Sequence, residues 1–289
     1  MKTATIVAPA SPAPIEQKKT IEMFFEKEGF NVKFAPHVFN AERYLAGSDN
    51  DRANDLNYAL TDKETDIVVA LRGGYGSPRL LDKLDYKAIK KANKPFFGFS
   101  DNTALQLALY KKCKMITYTG FNADCAIKGV GPELLKTFRG AINKKRMTLE
   151  NLTPVVLGQA SGVVLGGTLT MLVGLMGTPY MPKLDGALLV VEEVHESPYR
   201  IDRMLNQLRL GGHLSKLAGV ILSSCADCIA KDVADGDVRT VFNDFFANLG
   251  IPVVTNFPYG HIPDRIVFPL GQTATLDATQ GKLIFDNYK

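Results

Sequence analysis

Among its 289 residues the chain has no tryptophan, only four cysteines and only four histidines. It also lacks any long apolar run, and each shortage narrows what the protein can be. No stretch reaches the roughly 18 apolar residues that a membrane-spanning helix needs, so no membrane partner is expected. Residues 1–9 carry one lysine and an apolar core shorter than the roughly 7–15 residues of a secretory h-region. That segment reads as a first buried strand, and the protein as cytoplasmic. Cys225 and Cys228 form a Cys-x-x-Cys pair, but no second pair stands at zinc-finger spacing, so neither a metal nor a cofactor is expected. With Cys113 and Cys125 they are read as free thiols in a reducing compartment. Charge of one sign is also scarce: the net value is +4. The basic clusters, at Lys90 and Lys91 and at Lys144, Lys145 and Arg146, are short and without interleaved aromatics, which argues against a nucleic-acid partner.

What is present is alternation. Residues 66–71 form a nearly continuous apolar, β-branched run, the mark of a strand buried on both faces. Further strands are expected at 3–8, 30–34, 95–99 and 115–119, with helices at 14–28, 51–62 and 103–112 between them. Such spacing means a parallel sheet with helices on its faces. In the second half, glycines at 162–167 open a helix at 168–176. Strands at 187–194, 217–224 and 253–257 then alternate with helices at 199–210 and 238–249, and short β segments follow at 266–268, 273–276 and 283–285. The fold class is therefore α/β, and the length suits two domains of about 150 residues each. The expected division is an N-terminal parallel-sheet domain over 1–145, a linker over 146–161 and a smaller C-terminal α/β domain with a β-rich end over 162–289. The linker is placed by its basic and then polar composition, with Pro154 and Gly158.

Three strand ends carry groups suited to chemistry. Ser100 follows the strand 95–99 and precedes a helix, which puts a hydroxyl at a sharp turn with helix N-terminal amides beside it. The same residue also suits a simple N-cap. Glu192 and Glu193 close the strand 187–194 and must point to opposite faces; the one that points inward can orient an imidazole. His261, on a loop shaped by Gly260 and Pro263, follows the strand 253–257. An activated hydroxyl needs this set: a histidine to take its proton, a carboxylate to fix that histidine, and N–H groups for the oxyanion. The loop Arg72–Gly73–Gly74–Tyr75–Gly76 follows a buried strand and reads either as a tight turn or as a nest of backbone amides. It matches neither phosphate-binding glycine pattern, which weakens a dinucleotide-dependent dehydrogenase. A two-domain binding protein, with Ser100 as a cap and His261 as a ligand contact, stays open on these residues alone.

Taken in order, Arg72–Gly73–Gly74–Tyr75–Gly76, Gly98–Phe99–Ser100–Asp101, Gly166–Gly167, Glu192 to Glu196 with Pro198 to Leu205, and Gly260–His261 resemble the LD-carboxypeptidase family of serine peptidases. That family also includes the microcin C self-immunity hydrolases. The resemblance spans residues 6–271. It implies Ser100 as nucleophile, His261 as base and Glu192, which opens the acidic pair, as the third member. It also implies an oxyanion hole from the backbone N–H groups of Asp101 and Gly74. Substrate contacts are expected from Arg72, Tyr75, Gly166, Gly167 and Arg200, with an arginine suited to a bidentate grip on a free carboxylate. The implied reaction is removal of terminal D-Ala from murein tetrapeptide, by a homodimer, during cell-wall recycling. The immunity branch hydrolyses aminoacyl-nucleotide analogues and tends to be longer, so the short chain without tryptophan favours the carboxypeptidase branch. Phe99 and Asn102 depart from residues often found beside the Ser-Asp pair, and their effect is expected in packing.

Overall fold

The structure, a computed structural model, describes residues 1–286; the last three residues of the expected C-terminal domain lie outside the described residues. In the first half the alternation of apolar strands and helices is β1 (Lys2–Val7), α1 (Lys18–Lys27), β2 (Phe30–Phe34), α2 (Asp49–Thr61), β3 (Ile67–Ala70), α3 (Tyr86–Ala92), β4 (Phe96–Gly98), α4 (Asn102–Cys113) and β5 (Thr117–Thr119). Three helices have no counterpart in the sequence reading: α3 and the two that follow β5, α5 (Cys125–Lys128) and α6 (Pro132–Ile142). The second half holds β6 (Thr148–Leu149), β7 (Thr153–Val156), β8 (Gln159–Thr168), α7 (Leu169–Gly174), β9 (Leu188–Val194), α8 (Pro198–Leu210), β10 (Gly219–Ala226), α9 (Val238–Phe246), β11 (Val253–Phe257), β12 (Phe268–Leu270), β13 (Thr273–Asp277) and β14 (Lys282–Phe285).

The strands form two sheets, of order β12-β5-β4-β3-β1-β2 and β6-β14-β13-β8-β9-β10-β11-β7. In the first, β1 to β5 are parallel and the strand order reverses between β1 and β3, so the loops leaving those strands face one another at the carboxyl edge. Open sheets of this kind bind ligands along that edge. In the second sheet β8, β9, β10 and β11 are parallel, with antiparallel strands on either side. Parallel strands covered on both faces read as continuous apolar runs; β9 opens with Leu188, Leu189, Val190 and Val191, all fully buried.

Two expectations about the domain division give way. The stretch 146–161 holds β6, β7 and the start of β8 and is part of the second sheet. Pro154 suggested a linker, but β7 is an edge strand, where a residue without an N–H costs the ladder little. The chain also returns to the first sheet late: β12 pairs antiparallel with β5, and its Phe268 and Leu270 are fully buried there. Between the sheets lies α4, buried from Asn102 through Leu109 and packed against β4 and β5 on one side and β8 and α7 on the other. No helix among the described residues is long and apolar enough to cross a membrane.

Candidate active site

Ser100 sits between β4 and α4 with φ +65°, left-handed backbone that a non-glycine residue adopts at a cost of order 1 kcal/mol or more. Its surroundings hold the turn. The N–H of Thr103 donates to Ser100 O at 2.8 Å. Asn102, buried at the start of α4, donates through Nδ2 to the carbonyls of Arg72 at 3.2 Å and Phe99 at 3.1 Å. That bond ties the serine turn to the glycine loop after β3. Gly73 closes the contact: a Cβ there would lie 2.8 Å from Ser100 Cβ and 3.1 Å from its Oγ.

His261 Nε2 lies 3.0 Å from Ser100 Oγ, and its Nδ1 lies 2.9 Å from Glu192 Oε2. An ionised carboxylate only accepts, so Nδ1 carries the hydrogen and Nε2 is left to accept from the serine hydroxyl. The imidazole rests against the Phe99 ring at 4.6 Å between centroids, and the Arg265 guanidinium lies 4.2 Å from the same ring. Gly260, at φ +108°, leaves room for the carboxylate, since its Cβ would stand 3.1 Å from Glu192 Oε2. The side chains of β9 alternate as a strand requires. Glu192 turns to His261, and Glu193 turns to the start of α7, where it accepts from Thr170 N at 2.8 Å and Thr170 Oγ1 at 2.6 Å. Burial raises the Glu193 carboxyl against those bonds. Glu192 is fully buried, and its Oε1 accepts from Thr168 Oγ1.

The other expected site residues fall into distinct places. The Asp101 carboxylate turns away from Ser100 and accepts from the amides of Gly76 at 3.3 Å and Ser77 at 2.8 Å. Burial pushes this carboxyl up to about 6, against those amide bonds and the nearby Arg52 charge. The N–H groups of Asp101 and Gly74 carry no other hydrogen bond among the described residues. The flank of Gly74 faces Ser11, so it is Gly73 that stands against the serine. Arg72 is half-buried; its Nη1 donates to Pro12 O at 3.1 Å and braces the loops after β1 and β3, while its Nε is buried without a hydrogen-bond partner among the described residues. Arg200 is exposed and paired with Glu196 at 3.3 Å and the Tyr199 hydroxyl at 3.1 Å on its own helix. Arg200 is thus engaged on its own helix, whereas Arg72 keeps an unspent donor. Tyr75 is exposed, its ring 5.9 Å from that of Tyr44, and remains available at the rim of the glycine loop. Gly166 and Gly167, expected to touch substrate, are buried and serve packing. A Cβ on Gly166 would overlap Val190 O of β9, and one on Gly167 would lie 2.9 Å from Thr103 of α4. Thr168 is not singled out in sequence because strand pairing alone brings it to the site, whereas Asn102 and Thr103 are chain neighbours of Ser100 whose partners, Arg72 and Thr168, come from distant segments.

A serine hydroxyl, an imidazole and a buried carboxylate in hydrogen-bond sequence, beside unspent amides, suit acyl transfer. Comparison with known proteins gives the family. The LD-carboxypeptidase N-terminal domain matches residues 5–120, and the LD-carboxypeptidase C-terminal domain matches residues 161–276. The chain belongs to the LD-carboxypeptidase family. It is accordingly a hydrolase, a serine-type carboxypeptidase by family, with the family's two-domain α/β fold. A probable murein peptide carboxypeptidase of Bacillus subtilis is 32% identical over 98% of this chain and 91% of its own length. The murein tetrapeptide carboxypeptidase of Pseudomonas aeruginosa is 29% identical over 95% of this chain and 93% of its own. Among solved structures, the muramoyltetrapeptide carboxypeptidase of Oxalobacter formigenes superposes with a TM-score of 0.89 at 30% identity, covering 100% of this chain and 99% of that one. The microcin C7 self-immunity protein MccF superposes at 0.90 over 99% of this chain and 96% of its own, but at 22% identity that likeness speaks to the fold.

Proposed function

We propose that the protein removes terminal D-Ala from murein tetrapeptide by nucleophilic catalysis at Ser100, acting in the cytoplasm as a homodimer. The observation that carries the mechanism is the unbroken bond series Ser100 Oγ, His261 Nε2, His261 Nδ1, Glu192 Oε2, with contacts of 3.0 Å and 2.9 Å. Attack of Ser100 Oγ on the carbonyl carbon of the L,D bond forms the C–O bond while His261 Nε2 takes the hydroxyl proton. The fully buried Glu192 holds the resulting imidazolium through Nδ1–H. The oxyanion is received by the N–H groups of Asp101 and Gly74; a donor of this kind is worth about 100–1000-fold in rate. Collapse breaks the C–N bond, and His261 returns the proton to the departing D-Ala amine. Water, deprotonated by the same imidazole, then releases the tripeptide from Ser100. The murein substrate is supported by the names of the relatives.

Incubation of the purified protein with murein tetrapeptide is the test. Free D-alanine and tripeptide in equal amounts are expected. Intact tetrapeptide after prolonged incubation would overturn the substrate assignment and turn the search to aminoacyl-nucleotide analogues.

A further inference from the structure

The reaction as derived leaves the Gly166–Gly167 pair and the hydroxyls beside it without a use. Glu192 has no access to water, so each carboxylate oxygen must find its donor within the protein. Oε2 faces His261 Nδ1, and Oε1 is met by the hydroxyl of Thr168. Thr168 ends β8 and is the register neighbour of Glu192 on β9. Beyond it, the N–H of Thr168 donates to Thr103 Oγ1 at 3.4 Å, and the two threonine hydroxyls lie 3.5 Å apart. Thr103 is in the first turn of α4, and its own N–H holds Ser100 O. Gly167 permits this approach, since any side chain there would strike Thr103. From these contacts we infer that Thr168 is the positioning residue of Glu192, and that Thr103 ties it to the helix that carries the nucleophile. The inference rests on the Ser100–His261–Glu192 reading.

The physical need is plain. As His261 takes a proton, Glu192 must stay ionised and keep one oxygen on Nδ1. A hydroxyl donated to the other oxygen is a charge-assisted bond that favours the ionised form and fixes the carboxylate plane. The titratable neighbours do not supply this. Glu193 on β9, Cys225 on β10, Cys228 beyond it and Tyr259 before His261 are all acidic groups whose charged forms repel Glu192. Without Thr168, Oε1 would be a buried acceptor with no donor among the described residues, and the carboxylate plane would lose its anchor.

Thr168→Val keeps the shape and removes the donor. It is expected to lower kcat about 10–100-fold while KM stays within about two-fold, and to move the acid limb of kcat/KM to higher pH. Thr168→Ser is expected to restore most of the rate, and Thr103→Val to cost about three-fold. Wild-type kcat and an unmoved acid limb in Thr168→Val would overturn the inference. So would a Thr168→Ser variant as impaired as Thr168→Val, because the methyl and not the hydroxyl would then matter. Should Thr168→Val fail to fold, Thr168→Ala against Thr168→Ser carries the same comparison. The rate at which a fluorophosphonate labels Ser100 separates the two levels of the account. Absence of His261-dependent labelling in the wild type defeats the triad reading itself. Labelling of Thr168→Val at the wild-type rate defeats only the positioning role.

Discussion

Asp101 and Glu193 are adjacent in sequence to two groups of the proposed mechanism, Ser100 and Glu192, yet each turns away and spends its carboxylate on backbone amides. For Asp101 the consequence is measurable. Its folded-state carboxyl is raised from 3.8 to about 6, chiefly by burial. The folded chain therefore holds this proton more tightly than the unfolded chain does. The group's contribution to stability is full below the unfolded value and is lost as pH rises through about 6, by roughly 3 kcal/mol at most. Asp101→Asn removes the ionisation. Urea unfolding of wild type and variant from about pH 4 to 7 is expected to show the difference moving in the variant's favour by about 1–3 kcal/mol as pH rises. Parallel curves would contradict the assignment. At this scale the sequence was informative about types and silent about directions. Alternation along a strand said that one of Glu192 and Glu193 had to face inward, and the family motif chose Glu192; only the packed structure puts His261 against it.

The turn from β4 into α4 is the element that everything else serves. Its left-handed serine was foreseeable as a sharp turn, because Gly98 ends an apolar run and a helical pattern follows. The neighbours that hold it came from elsewhere in the chain: the loop after β3, Asn122 beyond β5, and the end of β8. No spacing rule links those segments, so the role of Asn102 and the purpose of Gly167 were not legible. The glycine loop makes a sharp prediction of its own. A methyl at position 73 would press on Ser100 Cβ and Oγ while the φ of that residue asks for nothing unusual. Gly73→Ala is therefore expected to cut kcat about 100-fold or more by shifting the nucleophile, since a misplacement of about 1 Å costs on that order. The midpoint of thermal unfolding should move by only a few degrees. A variant with near wild-type kcat would mean that the loop does not fix Ser100.

The molecule as a whole is less divisible than its sequence suggests. Composition placed a linker at 146–161, yet those residues are strands of the second sheet, and β12 carries the chain back to complete the first. Pairing across that much sequence leaves no local signature, which is why the α/β alternation was readable and the sheet membership of the last strands was not. With α4 buried between the two sheets, Ser100 belongs to one and Glu192 to the other, and His261 lies on the segment that joins β11 to β12. On the proposed mechanism the reaction depends on the relation between the two halves. The measurement that tests this most directly is the steady-state rate of D-alanine release from murein tetrapeptide by Ser100→Ala, His261→Ala and Glu192→Gln beside the wild type. The account predicts losses of about 10⁴-fold or more for each, and a double variant no worse than the worst single one, because the three act as a unit. Turnover by Ser100→Ala at a rate near the wild type would contradict it.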